Sequence, residues 1–431
     1  MQSVPAWGLA SAAFCHVHRV TDEVGVRQVF DIARRYGLSV GFRGSGQSYG
    51  DAALNGEALL LDLSGMQRIL DWNPESGVIT AEPGVTIGQL WRQTIFSGWW
   101  PPVVPGTMQP TLGGCAAMNI HGKNHWRSGS FGEHVLAFSA LLPGGEVVHC
   151  SPTEDSELFY GILGSFGMLG CFLSITLQMK RAESDSVRVS AFTAPTIDSM
   201  LELVDMHKEE DYVVGWVDCI SDGLRLGRGV VHTANHLLPS ESDANLVLDE
   251  YSKHELPSVL FGVLPRDWVW RLLCLLNHRP GWQLINSFRY YIGLWRNGHT
   301  FIQSLPQFNF LLDYVPDWRR VFLRGNHEDM MLGFLAGSFP FSSWLLFSKR
   351  RKPSIKKFGL TNITFPKNVI PTEYSNVSIT RKYFRSGDIK DLILKAKKNF
   401  AKVTSFKPDS SRKESSEIYL VCLKKKSLLI D

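Results

Sequence analysis

The period of apolar and polar positions changes repeatedly along the chain, and each change predicts an element. In residues 21–36, Val24, Val26, Val29, Phe30, Ile32 and Ala33 recur among charges at helical spacing, and the run stops before Gly37. Residues 38–42, 59–63 and 78–81 predict short strands, and residues 86–96 a helix behind the Pro83-Gly84 turn. Residues 135–142 and 147–149 predict a hairpin across Pro143-Gly144-Gly145, followed by an alternating strand at 172–179. Strands first interleaved with helices and then meandering predict an α+β domain over residues 1–183.

A second domain is expected over residues 184–322. It opens with a strand at 187–192 and a helix at 197–207, and strands at 212–218 and 227–232 continue a sheet. Residues 265–277 predict an apolar helix, and 301–314 a strand on which Gln303 and Gln307, four apart, share one face. Beyond 322 the pattern breaks down. Residues 330–347 form an uncharged run of 18 ending at Lys349-Arg350-Arg351-Lys352, which is at the lower edge of what spans a bilayer. Pro340 and the Gly and Ser content weigh against a spanning helix, so an interfacial docking segment and a buried segment stay open beside it.

Two glycine-punctuated stretches carry the candidate chemistry. The first is Arg43-Gly44-Ser45-Gly46-Gln47-Ser48-Tyr49-Gly50-Asp51. The second runs from Pro105-Gly106-Thr107 through Thr111 and Gly113-Gly114 to Ile120-His121-Gly122-Lys123-Asn124-His125 and Gly129-Ser130-Phe131-Gly132. Glycines let bare backbone approach a ligand, and successive N–H groups in such turns form concavities that bind anions, a diphosphate being the obvious guest. Gly44-x-Gly46 lacks the third glycine of G-x-G-x-x-G, so the Rossmann fingerprint is not met.

Taken together, the four motifs in this order resemble the FAD-binding domain of the vanillyl-alcohol oxidase and p-cresol methylhydroxylase superfamily, and within it the decaprenylphosphoryl-β-D-ribose oxidase branch. The pattern holds over residues 20–180, thins to 322 and is lost beyond. The resemblance implies a two-subdomain, PCMH-type FAD-binding domain at 1–183, an antiparallel-sheet substrate or cap domain at 184–322 that lids the flavin, and a divergent basic region at 323–431, truncated or frame-altered relative to the family. It implies that Arg43, Gly44, Ser45, Gly46, Gln47, Ser48 and Tyr49 hold the diphosphate. Pro105, Gly106, Thr107, Thr111, Gly113, Gly114, Ala117, Asn119, His121 and Gly122 would line the ring and ribityl chain, with Asn124, Ser128, Gly129 and Gly132 beside them. Gly164, Gly167 and Gly170 would form the adenine-side turn.

Many members of the superfamily link the flavin to a histidine just after the Gly-x-Gly. Gln47 stands there, so noncovalent FAD is expected. By resemblance His121 and Lys123 are catalytic or substrate-contacting, with His125 nearby. Trp216, Gln303 and Gln307 would face the substrate, two amides on one strand face suiting a sugar's hydroxyls. The family's catalytic lysine segment has only a loose echo in Asp409-Ser410-Ser411-Arg412, and its cysteine strand only a loose echo at Cys422. The implied function is oxidation of a hydroxyl of a sugar, lipid-linked sugar or aldonolactone by hydride transfer to FAD. The alternative is a noncatalytic FAD-binding protein, a degenerate oxidase.

Composition adds bounds. At 431 residues the chain has length for two or three domains. Its 7 cysteines, an odd number, show no C-x-x-C pair or metal spacing, so reduced thiols, a cytoplasmic setting and no metal are expected. Residues 1–14 lack a basic n-region, and no cleaved signal peptide is expected. The net charge of +4 hides an asymmetry, because residues 349–431 hold 21 Lys and Arg against 7 acids. For this tail, either a solvated or poorly folded basic segment or peripheral association with the inner face of a membrane is expected, and no nucleic-acid partner.

Overall fold

The structure, a computed structural model, describes residues 1–9, 11–48, 50–182, 184–237, 256–260, 264–322, 378–384, 400–406 and 417–425. They fall into two compact units, Met1–Phe341 and Ser342–Asp431.

The first unit opens with strands β1 (Gln2–Pro5) and β2 (Ala12–Arg19), then helix α1 (Glu23–Tyr36), β3 (Val40–Arg43) and β4 (Leu59–Asp62). Asp22 caps α1 by accepting from the Gly25 N–H, and Gly37 closes it in the left-handed conformation at φ 64°. The buried stripe Val26, Val29, Phe30 and Ala33 packs on Leu59, Leu61 and Leu63. Strand order is β1-β2-β4-β3, with β4 parallel to both β2 and β3. Arg43 is therefore anchored opposite Asp62 just where the chain enters the first glycine turn.

Strands β5 (Ile69–Asn73) and β6 (Val78–Ala81) lead to helix α2 (Ile87–Thr94), β7 (Trp99–Trp100), and the short helices α3 (Leu112–Met118) and α4 (His125–Ser128). Next come β8 (Val135–Leu141), β9 (Val147–Cys150), α5 (Ser156–Ile162), β10 (Cys171–Gln178) and β11 (Lys180–Arg181). The antiparallel sheet β5-β6-β10-β8-β9 contains the hairpin expected across Pro143-Gly144-Gly145. A reciprocal capping box between Thr86 and Gln89 starts α2.

The third sheet uses β12 (Ser186–Ala194), β13 (Tyr212–Val217), β14 (Gly229–His236) and β17 (Thr300–Ser304), in the order β13-β14-β12-β17. Helix α6 (Ile197–Met206) follows β12, and a small hairpin, β15 (Val259–Leu260) with β16 (Leu264–Pro265), precedes α7 (Val269–Leu275) and α8 (Arg279–Trp295). Trp216 lies opposite Val230, which lies opposite Thr193, so these side chains share a face with Tyr212, Ala234 and Val189. At one end of that face Gly293 lets α8 approach Val230 and Thr193, where a Cβ would press on both side chains. At the other end Tyr212, Ala234, Val187 and Val189 join one core with Trp100, Leu112 and Phe308. The sheet thus packs directly on the glycine-rich half of the unit.

Two expectations are corrected. The strand expected at 301–314 stops at Ser304, whose hydroxyl accepts from the Gln307 N–H and starts helix α9 (Leu305–Asn309) with Pro306 in its first turn. Gln303 and Gln307 therefore lie on different elements and share no strand face. The helix expected at 265–277 begins as a 3₁₀ turn (Arg266–Trp268) and is α-helical only over Val269–Leu275.

The second unit contains β18 (Ser378–Phe384), β19 (Phe400–Phe406) and β20 (Glu417–Lys425), paired antiparallel in the order β18-β20-β19. Cys422 lies in β20 opposite Ile379 and Val403. Residues 330–347, the basic run after them, and residues 409–412 lie outside the described residues. Among the described residues no helix is long and apolar enough to cross a membrane.

Candidate FAD site

The two glycine stretches meet. A Cβ at Gly44 would overlap Thr111 Oγ1 and stand 3.0 Å from Thr111 Cγ2, so the first turn lies against the residue that caps α3. Thr111 accepts from the Gly114 N–H at 3.3 Å. Gly46 holds φ 69°, and the Arg43 guanidinium fills the space a side chain there would need. Arg43 is fixed by the carbonyls of Ala53 and Pro5; burial lowers its pKa and Asp62 opposes the shift.

Among the described residues, none offers an acceptor to the backbone N–H groups of Gly44, Ser45, Gly46, Gln47 and Ser48. Consecutive unclaimed N–H groups around a left-handed glycine make a site for a polyanion. Tyr49 lies outside the described residues. A turn bearing Gly164 packs against the end of α3, its Gly164 and Phe166 N–H groups donating to the carbonyls of Ala116 and Ala117. Gly167, at φ 78°, abuts Phe42. Among the described residues, the buried Ser165 hydroxyl between them and Asn124 Oδ1 have no hydrogen-bond partner, while Asn124 Nδ2 donates to Pro102 O at 2.6 Å. These features fit the diphosphate and polar edges of FAD. Gly113 and Gly170 also pack closely, against Pro83 and the Leu141 carbonyl.

The 120–132 segment folds into a compact loop. His121 bridges Ser130, and Phe131 N donates to Ile120 O. Asn119, in the left-handed conformation, accepts from Gly132 N through Oδ1 at 2.8 Å, while His134 Nε2 is 2.7 Å from Ser128 O. Gly129, at φ 64°, lies close to the Glu133 carboxylate. His121 is in edge contact with His125, ring centroids 5.8 Å apart, and burial followed by His125 lowers its pKa to about 4. It is neutral at physiological pH.

Lys123 is almost fully buried. Its ammonium donates to the Asn309 carbonyl and lies 5.7 Å from the Phe308 ring centroid. Burial lowers its pKa to about 7, Asp313 pulling the other way. The loop expected to line the ring is held from the same side. Asp313 accepts from Thr107 Oγ1 at 2.6 Å and Met108 N at 2.8 Å, and Leu312 N donates to Gly106 O at 3.0 Å. Burial raises the Asp313 pKa and those two hydrogen bonds oppose it.

Sequence reasoning missed Asp313 and Asn309. Asp313 had one local signal, a lone acid within Leu311-Leu312-Asp313-Tyr314. Gln303 reaches the Tyr314 hydroxyl at 3.4 Å, beside this clamp. Trp216 is elsewhere, under the Arg289 guanidinium at 5.1 Å, and six residues of β12 separate Thr193 opposite its strand pair from Val187 opposite Gln303. That is about 20 Å along the strand. The structure thus gathers Lys123, Gln303 and the 105–108 loop around residues 309–314, places His121 two residues before Lys123 against His125 and Ser130, and leaves Trp216 apart. Among the described residues no group of His, Cys, Asp or Glu could hold a metal ion.

The chain is similar to known proteins in two parts of its length. Residues 16–151 match the FAD binding domain family, and residues 374–425, in the second unit, match the FtsJ-like methyltransferase family. Decaprenylphosphoryl-beta-D-ribose oxidase of Mycolicibacterium smegmatis is 31% identical over 325 residues, covering 73% of this chain and 68% of that protein. L-gulonolactone oxidase of Bos taurus is 26% identical over 188 residues, 43% of this chain and 42% of that one. Among solved structures, 6-hydroxy-D-nicotine oxidase from Arthrobacter nicotinovorans is 19% identical at TM-score 0.44, covering 54% of this chain and 51% of that one. Residues 16–151, which include both Gly44 and Thr111, are an FAD-binding domain, and the chain belongs to the family of FAD-dependent oxidoreductases that includes decaprenylphosphoryl-β-D-ribose oxidase.

Proposed function

We propose that this chain oxidises a hydroxyl of a sugar, a lipid-linked sugar or an aldonolactone, with residues 1–183 holding FAD noncovalently and the sheet of residues 184–322 covering the substrate. The observation that carries this reading is the clamp of residues 309–314 on the glycine-rich loop: Asp313 on Thr107 and Met108, and the Asn309 carbonyl on Lys123. It puts polar groups of the second sheet's chain against the loop expected to line the flavin. Relatives are named for ribose, gulonolactone and carbohydrate oxidation, which supports a polyhydroxylated substrate.

Bound FAD supplies the acceptor for the hydride that leaves the carbinol carbon. The protein's own task is then to orient that carbon and take up the hydroxyl proton. His121, neutral at physiological pH, is suited to accept the proton. Lys123, whose ammonium is committed to Asn309, acts as a positioning residue that holds the two halves of the site together. Gln303, steadied by Tyr314, offers an amide to a sugar hydroxyl. A location at the cytoplasmic face of a membrane is part of the proposal, motivated by the basic sequence of residues 349–431.

Anaerobic addition of candidate sugars, phosphosugars and aldonolactones to the FAD-loaded protein tests it. Loss of flavin absorbance near 450 nm, about where bound oxidised flavin absorbs, is expected with at least one of them. A spectrum unchanged by every candidate, with FAD bound, would leave the noncatalytic reading in possession.

A further inference from the structure

Helix α8 is apolar on two opposite sides, and the described residues cover only one. Trp282, Asn286 and Gly293 are buried, Gly293 against the β12 and β14 side chains. On the opposite side Leu284, Phe288, Tyr291 and Trp295 are each between 61% and 74% exposed. At 3.6 residues per turn their spacing of 4, 3 and 4 keeps all four within about 40° of the Leu284 direction. The preceding helical segment repeats the pattern: Trp268, Leu272 and Leu275, spaced 4 and 3 apart, are also exposed, Leu275 at 74%. Scattered exposed apolar residues are ordinary on protein surfaces, but two consecutive helical stripes of large apolar and aromatic side chains are a docking signature.

The charge in the same segment indicates the occupant. Residues 264–296 contain five arginines against the single acid Asp267, with no lysine or glutamate; Arg289 turns inward over Trp216 and Arg279 is paired with Asp222, which leaves the exposed Arg271 and Arg296 as cations for a partner. Arg271 stacks between Trp268 and Trp270 at 5.3 and 4.7 Å, so cation and aromatic rings are presented together. Trp and Tyr beside arginine, on a helix lying along a surface, match the interfacial zone of a bilayer, where an apolar face enters the acyl boundary and cations meet anionic headgroups.

We infer that the outer stripes of α7 and α8 dock this protein on an anionic lipid surface. The inference rests on the proposed lipid-linked substrate for its purpose. The inner side of α8 packs on the sheet proposed to cover the substrate, so docking would bring that sheet within one helix diameter, about 10 Å, of the bilayer. A polyisoprenoid or other lipid tail could then stay in the membrane while its sugar headgroup is oxidised. This surface lies outside the basic run at 349–352.

The test is cosedimentation of the full-length, FAD-loaded chain with vesicles of phosphatidylcholine alone or mixed equally with phosphatidylglycerol, at low salt and at 1 M salt. Binding to the anionic vesicles is expected, with part of it surviving 1 M salt, where screening shortens to about 3 Å and only apolar insertion persists. The double variants Phe288→Asp/Trp295→Asp and Leu284→Ser/Tyr291→Ser, at exposed positions and checked for retained FAD, should each lose about tenfold in the salt-resistant binding. Replacing Lys349, Arg350, Arg351 and Lys352 by alanine should leave that fraction unchanged. No binding by the wild type, or equal binding by the double variants, overturns the inference. So does a result in which the stripe variants only convert a dimer to a monomer in sedimentation, which would assign the surface to a second copy. Since the readout is binding, it fails or stands separately from substrate oxidation.

Discussion

Gly44 and Thr111, 67 positions apart in sequence, occupy one contact: no side chain at Gly44 could clear the Thr111 hydroxyl that caps α3. The first glycine is thus required by its neighbour as well as by a ligand. Gly44→Ala is expected to displace the turn and cost about 1 to 3 kcal/mol of overpacking, read as weakened FAD retention on dialysis. In the double variant Gly44→Ala/Thr111→Ala, the nearest remaining Thr111 atom is its Cβ at 3.2 Å, a contact relieved by a small shift. The double variant should therefore retain more FAD than Gly44→Ala alone. Equal loss in both would show that the turn fails for a reason other than this contact.

Gln47 carries the next expectation. Its amide donates to Ser45 O at 3.4 Å, within its own turn. An amide offers no nucleophilic ring nitrogen for a bond to the flavin, so acid precipitation should release all FAD to the supernatant. Yellow colour retained by the denatured pellet would refute noncovalent binding.

Lys123 links the site to stability through its proton. Its folded-state pKa of about 7 is below the ordinary lysine value of 10.5, so between those pH values the unfolded chain binds more protons than the folded one. Stability must then rise as pH increases from about 7 toward 10.5, and below 7 the folded state carries the full cost of the buried charge. Lys123→Met removes that dependence. The Tm difference between wild type and variant should shift steadily in favour of the wild type from pH 7 to 10, and a constant difference would show that the ammonium is not desolvated as the structure has it.

How much of this was legible in the sequence depends on whether its cause was local. Helix α1 was readable because Asp22, the apolar stripe and Gly37 all lie within its own span. The two glycine stretches were readable because unusual backbone requires unusual composition. The end of β17 had a local signal too, Ser304 and Pro306 before Gln307, but the apolar residues around it fit a strand equally well. Strand β2 was missed because much of it is exposed and its partner β4 lies more than forty residues on. Helix α8 was obscured by Pro280, Gly281, Gly293 and apolar residues on two sides, which blur a single helical stripe. The Asp313 clamp was out of reach, since its partner Thr107 is 206 residues away.

The proton acceptor can be identified by where the rate changes with pH. A base is active only when deprotonated, so kcat/KM should fall tenfold per unit below the base's pKa in the free enzyme. With His121 lowered to about 4 by burial and by His125, and Lys123 at about 7, the two candidates place that fall in well-separated ranges. Lys123 already spends a hydrogen bond on the Asn309 carbonyl, which ties its proton to a structural role. The expected profile for substrate oxidation is flat from pH 9 to about 5 and falls only below that. His121→Gln should lower kcat by about 100-fold, the lower end of the range for losing a general base, while FAD stays bound. Lys123→Gln should weaken substrate binding or FAD retention without introducing a new pH limb. A wild-type limb near pH 7 that vanishes in Lys123→Gln would transfer the role to the lysine.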